Sequence, residues 1–258
     1  MRLVWISDIH LDHATPRTVK AFMTRLLRCG PEWILVGGDI GEGPTWLEFL
    51  RQMRARTGAQ IAFVLGNHDY YRSSIRAEQA KAFNQAGPIW LDRAGPIALT
   101  PTTTLIGMGG IGDGTRGLFG GMRLRDFDMI EELRCYDPHD MKKRMQELGG
   151  SMANRLRDKL RGLSKAESVM ILTHVPPWTS AAWHEDQEGD EIAQPFFVWG
   201  QGGDVIKDWA QAHPKVRVTV LCGHSHTGGM FAPLPNLTVL TARARYKYPD
   251  IAQVMEIA

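Results

Sequence analysis

Residues 3–10 have the sequence LVWISDIH, an apolar run that passes directly into an aspartate and a histidine. The run is short and rich in β-branched and aromatic side chains, which predicts a strand over residues 3–7. Asp8 and His10 are two positions apart, and side chains at that spacing lie on the same side of an extended backbone. We therefore predict that this strand delivers a carboxylate and an imidazole to one metal ion.

The same arrangement, in which metal-ligand residue types end or follow an apolar run, recurs at four further places. Asp39 follows two glycines at the end of the second run, and residues 66–69, GNHD, end the third. His174 follows a later run, and residues 223–226, GHSH, follow another. Because α/β proteins build ligand sites in the loops beyond strand ends, we expect the five segments to converge.

Apolar runs predict the strands of the fold at residues 3–7, 33–36, 61–65, 103–108, 169–173, 216–222, 237–241 and 251–257. Between the first three runs lie two stretches with helical character, residues 16–29 and 44–57. Each of these stretches opens with a proline, which suits the first turn of a helix. The resulting β-α-β-α-β alternation predicts an α/β fold.

Residues 112–165 depart from this alternation, because a glycine-rich loop and a charged stretch precede one long stripe of apolar residues at helical spacing. Gly149 and Gly150 interrupt the stripe, and each costs roughly 1 kcal/mol relative to alanine in a helix. We therefore expect the helix to kink or split there. The prediction is one domain over residues 1–258 with a helical insertion at about 112–165.

The candidate ligands offer different kinds of coordinating atom. The carboxylate of Asp39 has two oxygens and is suited to bridge two ions about 3.5 to 4 Å apart. Asn67 offers a neutral amide oxygen, and His68 offers an imidazole whose tautomer we expect the adjacent Asp69 to hold. A set with four histidines favours manganese, iron, zinc, cobalt or nickel over calcium or magnesium. We expect two divalent transition metal ions per chain.

In their order along the chain, the motifs DxH, GD, GNHD, H and GHxH resemble the signature of the calcineurin-like metallophosphoesterases, and the match spans residues 8–226. The resemblance implies a four-layer αββα sandwich of two mixed β-sheets, with a dinuclear metal site at the strand ends. It implies that one metal binds Asp8, His10, Asp39 and His226, and the other Asp39, Asn67, His174 and His224. It leaves His68 free for catalysis.

These features predict a metal-dependent phosphoesterase. Two divalent ions carry a charge of +4, two aspartates and a bridging hydroxide remove three charges, and the remaining positive charge favours an anion. We expect in-line attack of the metal-bridging hydroxide on a phosphomonoester or phosphodiester of small or medium size. The predicted catalytic residues are His68, which stabilises charge or protonates the leaving oxygen, and Asp69 beside it.

The composition restricts partners and location. Lys and Arg number 30 against 28 Asp and Glu, so overall charge favours neither nucleic acid nor an anionic membrane. The three cysteines lack a metal-binding or disulfide pattern, and no apolar run approaches the roughly 18 residues of a membrane span. We expect a cytoplasmic enzyme with no membrane partner.

Two alternatives stay open. A nuclease or other nucleic-acid-processing phosphodiesterase would use the same site and would need a basic track leading to it. A non-catalytic metal-binding scaffold, from another functional class, would keep the fold without the reaction, although every ligand position here holds a competent residue type.

Several residues near the motifs are candidates for substrate contact or for support of the ligands. A GxGxxG segment at residues 107–112 lacks the following helix that a dinucleotide site needs, and it is expected to turn the chain beside the site. The loop of residues 175–200 is expected to rim the site. The individual candidates are Arg116, Arg123, Arg125, Tyr70 and Tyr71 for substrate, and Asp12 and His13 for support.

Overall fold

The computed structural model describes residues 1–135, 137–184, 187–188 and 190–257. Its strands are β1 Arg2–Ile6, β2 Trp33–Val36, β3 Gln60–Phe63, β4 Ile89–Trp90, β5 Ile97–Ala98, β6 Thr103–Gly107, β7 Ser168–Leu172, β8 Trp183–His184, β9 Gln187–Glu188, β10 Arg217–Cys222, β11 Thr227–Leu234, β12 Leu237–Arg243 and β13 Gln253–Glu256. Its α-helices are α1 Pro16–Arg28, α2 Thr45–Thr57, α3 Ile75–Asn84, α4 Asp126–Met129, α5 Pro138–Leu160, α6 Gln194–Phe197 and α7 Gly200–Ala212. Single 3-10 turns lie at Leu11–His13, His68–Tyr70, Glu131–Leu133 and Thr179–Ala181.

The strands form two mixed sheets, in the orders β13-β1-β2-β3-β4 and β11-β12-β10-β7-β6-β5, and a small β8-β9 hairpin. In the first sheet β1 to β4 are parallel and β13 is antiparallel to β1. In the second, β6, β7, β10 and β12 are parallel, while β5 and β11 are antiparallel to their neighbours. The carboxyl ends of the parallel strands therefore share one edge in each sheet.

Alternate residues of each strand face different layers. Leu3 and Trp5 belong to the core between the two sheets, whereas Val4 and Ile6 belong to the core beneath the helices α1 and α2. The second sheet divides its residues in the same way between the inter-sheet core and the core against α5 and α7. Both faces of each sheet are thus buried, and the expected four-layer αββα sandwich is confirmed.

All eight predicted strands are present, with ends displaced by at most two residues. The prediction missed β11, an edge strand of sequence TGGMFAPL whose exposed positions show no apolar alternation. It also missed helices α3 and α7, the four-residue helices α4 and α6, and the two-residue strands. Helix α2 begins at Thr45, so Pro44 is the N-cap of the helix rather than its first residue. Among the described residues, no helix is long and apolar enough to cross a membrane.

Helix α5 continues through Gly149 and Gly150, so the expected split is wrong. Gly149 is buried, and a Cβ there would lie 2.6 Å from the Cβ of Asp113. Its carbonyl accepts a hydrogen bond of 3.0 Å from Nε1 of the fully buried Trp199. Close packing of the helix against these neighbours offsets the poor helix propensity of glycine.

Replacing Gly149 by Ala should lower the free energy of unfolding by about 1–3 kcal/mol, because the new methyl group has no space beside Asp113. Gly150→Ala is the matched control. The nearest atom to its Cβ would be Oε1 of Gln201 at 2.8 Å, the end of a flexible side chain. The control should stay within about 1 kcal/mol of the wild type, since alanine favours the helix. Urea denaturation of both variants measures the difference, and equal midpoints would contradict this account.

Candidate metal centre

All seven predicted ligands lie together at the shared edge, in the loops that follow β1, β2, β3, β7 and β10. Two groups of side chains have their ligand atoms within 4.8 Å of one another. Asn67 joins the second group, because its Oδ1 lies 3.0 Å from Nε2 of His174. The first group is Asp8, His10, Asp39 and His226, and the second is Asp39, His174 and His224.

Asp39 lies between the two groups and belongs to both. Its Oδ2 is 3.6 Å from Nε2 of His10, and its Oδ1 is 3.5 Å from Nε2 of His174. The backbone N–H of His68 donates to Oδ1 at 2.9 Å and fixes the rotation of the carboxylate. One oxygen of Asp39 therefore faces each group.

Five of the seven residues have a left-handed backbone conformation. The φ angles are 52° at Asp8, 37° at His10, 49° at Asp39, 67° at His224 and 64° at His226. This conformation costs of order 1–3 kcal/mol at a residue with a Cβ and persists only where the surroundings impose it. Such strain, repeated at one edge of the fold, marks a functional site rather than an ordinary set of turns.

The glycines of the motifs allow the loops to approach one another closely. Gly38 has φ of 88°, and a Cβ there would lie 2.6 Å from the backbone nitrogen of Gly66. A Cβ on Gly66 would collide with Oδ1 of Asp39, and one on Gly223 would collide with Oδ2 of Asp8. Any larger residue at these positions would separate the ligands.

Hydrogen bonds orient the ligands of the second group. Nδ1 of His174 lies 2.9 Å from the carbonyl of Gly37, so a proton there leaves the lone pair of Nε2 facing Asp39 and Asn67. Nε2 of His224 lies 3.3 Å from the carbonyl of Phe196, which leaves its Nδ1 as the acceptor.

Asp126 orients the amide of Asn67, and the sequence analysis missed it. The Nδ2 of Asn67 donates to Oδ1 of Asp126 at 3.0 Å, which leaves its Oδ1 directed towards His174. The hydroxyl of Tyr71 donates to the same Asp126 oxygen at 2.5 Å. Asp126 lies 59 residues from Asn67, inside the insertion, and no local pattern links the two.

The electrostatics of the site favour a cation. Burial raises the pKa of Asp39, with further contributions from the carboxylates of Asp8 and Asp69. Burial also lowers the pKa of His10, His174 and His224, which keeps these imidazoles neutral. In the described ranges no lysine or arginine pairs with Asp8 or Asp39. The exception is His226, whose Nε2 lies 3.4 Å from Oδ1 of Asp8 and whose pKa that carboxylate raises. Three neutral imidazoles beside two crowded carboxylates without a lysine or arginine partner fit divalent transition metal ions.

Asp69 does not hold the tautomer of His68, so this expectation is wrong. Its Oδ2 accepts the backbone N–H groups of Asp39 and Gly66 at 2.9 and 2.8 Å. Its Oδ1 accepts those of Ile40 and Gly41 at 2.9 and 3.2 Å. The side chain is fully buried behind the ligands and does not line the cavity described below. Asp69 fastens the two loops together.

His68 faces the open side of the site. Its Nε2 lies 3.3 Å from the hydroxyl of Tyr246, and its ring stacks on Tyr71 with centroids 4.2 Å apart. Burial, aided by His174, lowers the pKa of His68 to about 3, so its imidazole is neutral near pH 7. Tyr246 was also missed, although it follows β12, which is parallel to β10. The strand-end rule that located the other segments would have included it.

A cavity of about 300 Å³ opens over both groups. Among the expected contacts, Arg125 and Tyr71 line it, whereas Arg116 and Arg123 pair with Asp204 and Asp128 at 2.6 and 2.7 Å. Tyr70 is buried in the core. The full lining is Asp39, Asn67, His68, Tyr71, Leu124, Arg125, Asp126, Phe197, His224, Ser225, His226 and Tyr246.

Of the other residues expected near the site, some line the cavity and some support the ligand loops. Among the described residues of the 175–200 loop, Phe197 reaches the cavity, whereas Trp199 is fully buried. Asp12 accepts the backbone N–H of Glu42 at 2.6 Å, and Nε2 of His13 lies 3.2 Å from Oε1 of Glu42. Both residues therefore support the loop that follows Asp39. In the GxGxxG segment, the Gly109 carbonyl accepts the N–H of His174 at 2.7 Å, beside the site as expected.

Asp69→Asn should lower the free energy of unfolding by about 2–4 kcal/mol, because the amide NH₂ would face two backbone N–H donors that then lose their acceptor. Asp204→Asn is the control, since that carboxylate is 59% exposed and its ion pair with Arg116 contributes little. Urea denaturation of the two metal-free variants measures the difference. If Asp69→Asn unfolded at the same urea concentration as the control, the role given to this carboxylate would be wrong.

Comparison with known proteins gives consistent results. The family model described as calcineurin-like phosphoesterase matches residues 1–228. Among solved structures, a phosphopantetheinyl hydrolase from Mycobacterium tuberculosis is 14% identical, with a TM-score of 0.67 over 96% of this chain and 94% of that one. A dimetal phosphatase from Danio rerio is 13% identical, with a TM-score of 0.61 over 96% of this chain and 88% of that one. Among curated proteins, none matches the sequence.

Proposed function

Because the chain belongs to the calcineurin-like phosphoesterase family, we propose that the two ligand groups sharing Asp39 form its catalytic metal centre. Membership makes the chain a metal-dependent phosphoric ester hydrolase. The observation that supports this location of the reaction is the Asp39 carboxylate, which directs one oxygen to each group. The proposed ligands are Asp8, His10, Asp39 and His226 for one ion, and Asp39, Asn67, His174 and His224 for the other.

The metals and the protein have separate roles in the proposed reaction. When bound, two divalent cations activate water for in-line attack on phosphorus and withdraw charge from the phosphoryl oxygens. The protein fixes the geometry of the centre through Asp69, Asp126 and the carbonyl of Gly37. His68, neutral and lining the cavity, donates an N–H hydrogen bond to a phosphoryl oxygen or to the leaving oxygen as negative charge develops there. The hydroxyl of Tyr246 positions Nε2 of His68.

The cavity favours a small or medium-sized phosphate ester. Its volume of about 300 Å³ lies at the lower end of ligand pockets, and Leu124 and Phe197 restrict it. Lys and Arg exceed Asp and Glu by only 30 to 28, so the chain lacks the general positive charge that would favour nucleic acid. A screen of a nitrophenyl monoester, its bis-ester, cyclic nucleotides and single-stranded nucleic acid against manganese, iron, zinc, cobalt and nickel tests both substrate and metal.

Asp39→Asn should abolish hydrolysis and weaken the loading of both metals, because the amide has one ligating oxygen where the carboxylate has two. Elemental analysis together with isothermal titration using Mn²⁺ measures the loading. The proposal requires that both binding events weaken. A variant that lost only one metal would show that Asp39 does not bridge, and a wild-type chain with under one metal and no hydrolysis after added manganese would exclude this centre.

His68→Ala should leave the metals bound but lower kcat on an unactivated ester by about two to four orders of magnitude, because the hydrogen-bond donor to the developing negative charge is lost. On a nitrophenyl ester, whose leaving group needs no proton, the loss should be smaller. Metal content, measured on the same preparation, separates this effect from lost ligation. Full activity of the variant on the unactivated ester would refute the role.

A further inference from the structure

The insertion reaches the metal centre through one short segment, residues 124–126. Leu124, Arg125 and Asp126 all line the cavity. Two hydrogen bonds to Asp126, from Asn67 and from Tyr71, anchor this segment beside the second ligand group. Residue 125 is therefore held next to the position where the phosphoryl group of a substrate would lie, and it is not part of a loosely attached loop.

Arg125 differs from the other two arginines of this part of the insertion. Arg116 and Arg123 have carboxylate partners at 2.6 and 2.7 Å, in Asp204 and Asp128. The Arg125 side chain forms no ion pair and no hydrogen bond with any residue that the structure describes. It is exposed at the mouth of the cavity, so its guanidinium can bind a ligand without breaking an existing contact.

The charges around the centre explain why a cation is useful at this position. Two divalent ions with Asp8 and Asp39 leave a charge of +2, and the expected hydroxide together with the Asp126 carboxylate, which also lines the cavity, reduces it to about zero. The centre by itself therefore has no excess positive charge that would favour a phosphomonoester, with close to two negative charges well above pH 6, over a phosphodiester, with one. An added cation attracts a dianion more strongly than a monoanion, and the guanidinium of Arg125 supplies that cation.

We propose that Arg125 binds the second negative charge of the phosphoryl group and makes the enzyme select phosphomonoesters over phosphodiesters. The remainder of the substrate contacts the apolar and aromatic walls at Leu124, Phe197 and Tyr246. This inference depends on the proposed metal centre. It adds phosphomonoesters as the substrate class. It also adds Arg125, which lies outside the five motifs, as the residue that determines this preference.

The test compares the full-length, manganese-loaded wild type with Arg125→Gln, Arg125→Lys and the matched control Arg116→Gln. The substrates are p-nitrophenyl phosphate and bis(p-nitrophenyl) phosphate, which share a leaving group and differ in charge. Arg125→Gln should lower kcat/KM on the monoester by about 10- to 100-fold, mainly through KM, and on the diester by less than about threefold. Arg125→Lys should lie between, since it keeps the charge but loses the bidentate geometry. Arg116→Gln should match the wild type on both substrates.

Binding gives a second readout that does not depend on turnover. Inorganic phosphate should bind Arg125→Gln about 10- to 100-fold more weakly than it binds the wild type, whereas dimethyl phosphate should bind both alike. Equal losses for the monoester and the diester, or no loss for either, would overturn the role of Arg125. If the metal-loaded wild type hydrolysed neither ester, the proposed function itself would fail, so the two failures are distinguishable.

Discussion

The Asp69 carboxylate holds the loops after β2 and β3 in contact, and the rest of the site depends on that contact. Four backbone N–H groups, from Asp39, Ile40, Gly41 and Gly66, donate to its two oxygens. Asp39 can therefore keep its left-handed φ of 49° and direct one oxygen to each ligand group. Without this acceptor the four donors would be buried and unsatisfied, a cost comparable to the stability of many domains.

Further hydrogen bonds join the two sheets at the same edge. The N–H of His224 donates to Oδ1 of Asp8 at 2.9 Å, and Nδ1 of His174 lies 2.9 Å from the carbonyl of Gly37. Each contact links a loop of one sheet to a loop of the other, and each involves a ligand. Burial lowers the pKa of His174 and His224, which keeps both imidazoles neutral, and raises the pKa of Asp39, whereas the neighbouring histidines keep that of Asp8 low despite its burial. The contacts that hold the folded sheets together at this edge therefore also prepare the candidate ligands to bind metal.

The insertion contributes to the site as well as to the core. Helix α5 packs against α7 and Trp199 through the space left by Gly149. Asp126 orients Asn67, and its neighbour Arg125 faces the cavity. Residues within 112–165 and the strand-end loops thus line the same cavity, which agrees with the general placement of binding residues in connecting segments.

The sequence by itself determined eight strands, the α/β class and the seven candidate ligands, because an apolar run followed by ligand residues is a local pattern. The resemblance added the sandwich and the expected division of the candidate ligands. Only the tertiary structure decided which carboxylates line the cavity and which hold the backbone. Asp69 lies beside His68 in sequence but binds two loops, whereas Asp126 and Tyr246, far away in sequence, contact Asn67 and His68. Gly149 was likewise mistaken for a helix breaker. Such roles depend on contacts between distant segments, and those contacts exist only once both sheets and the insertion have packed.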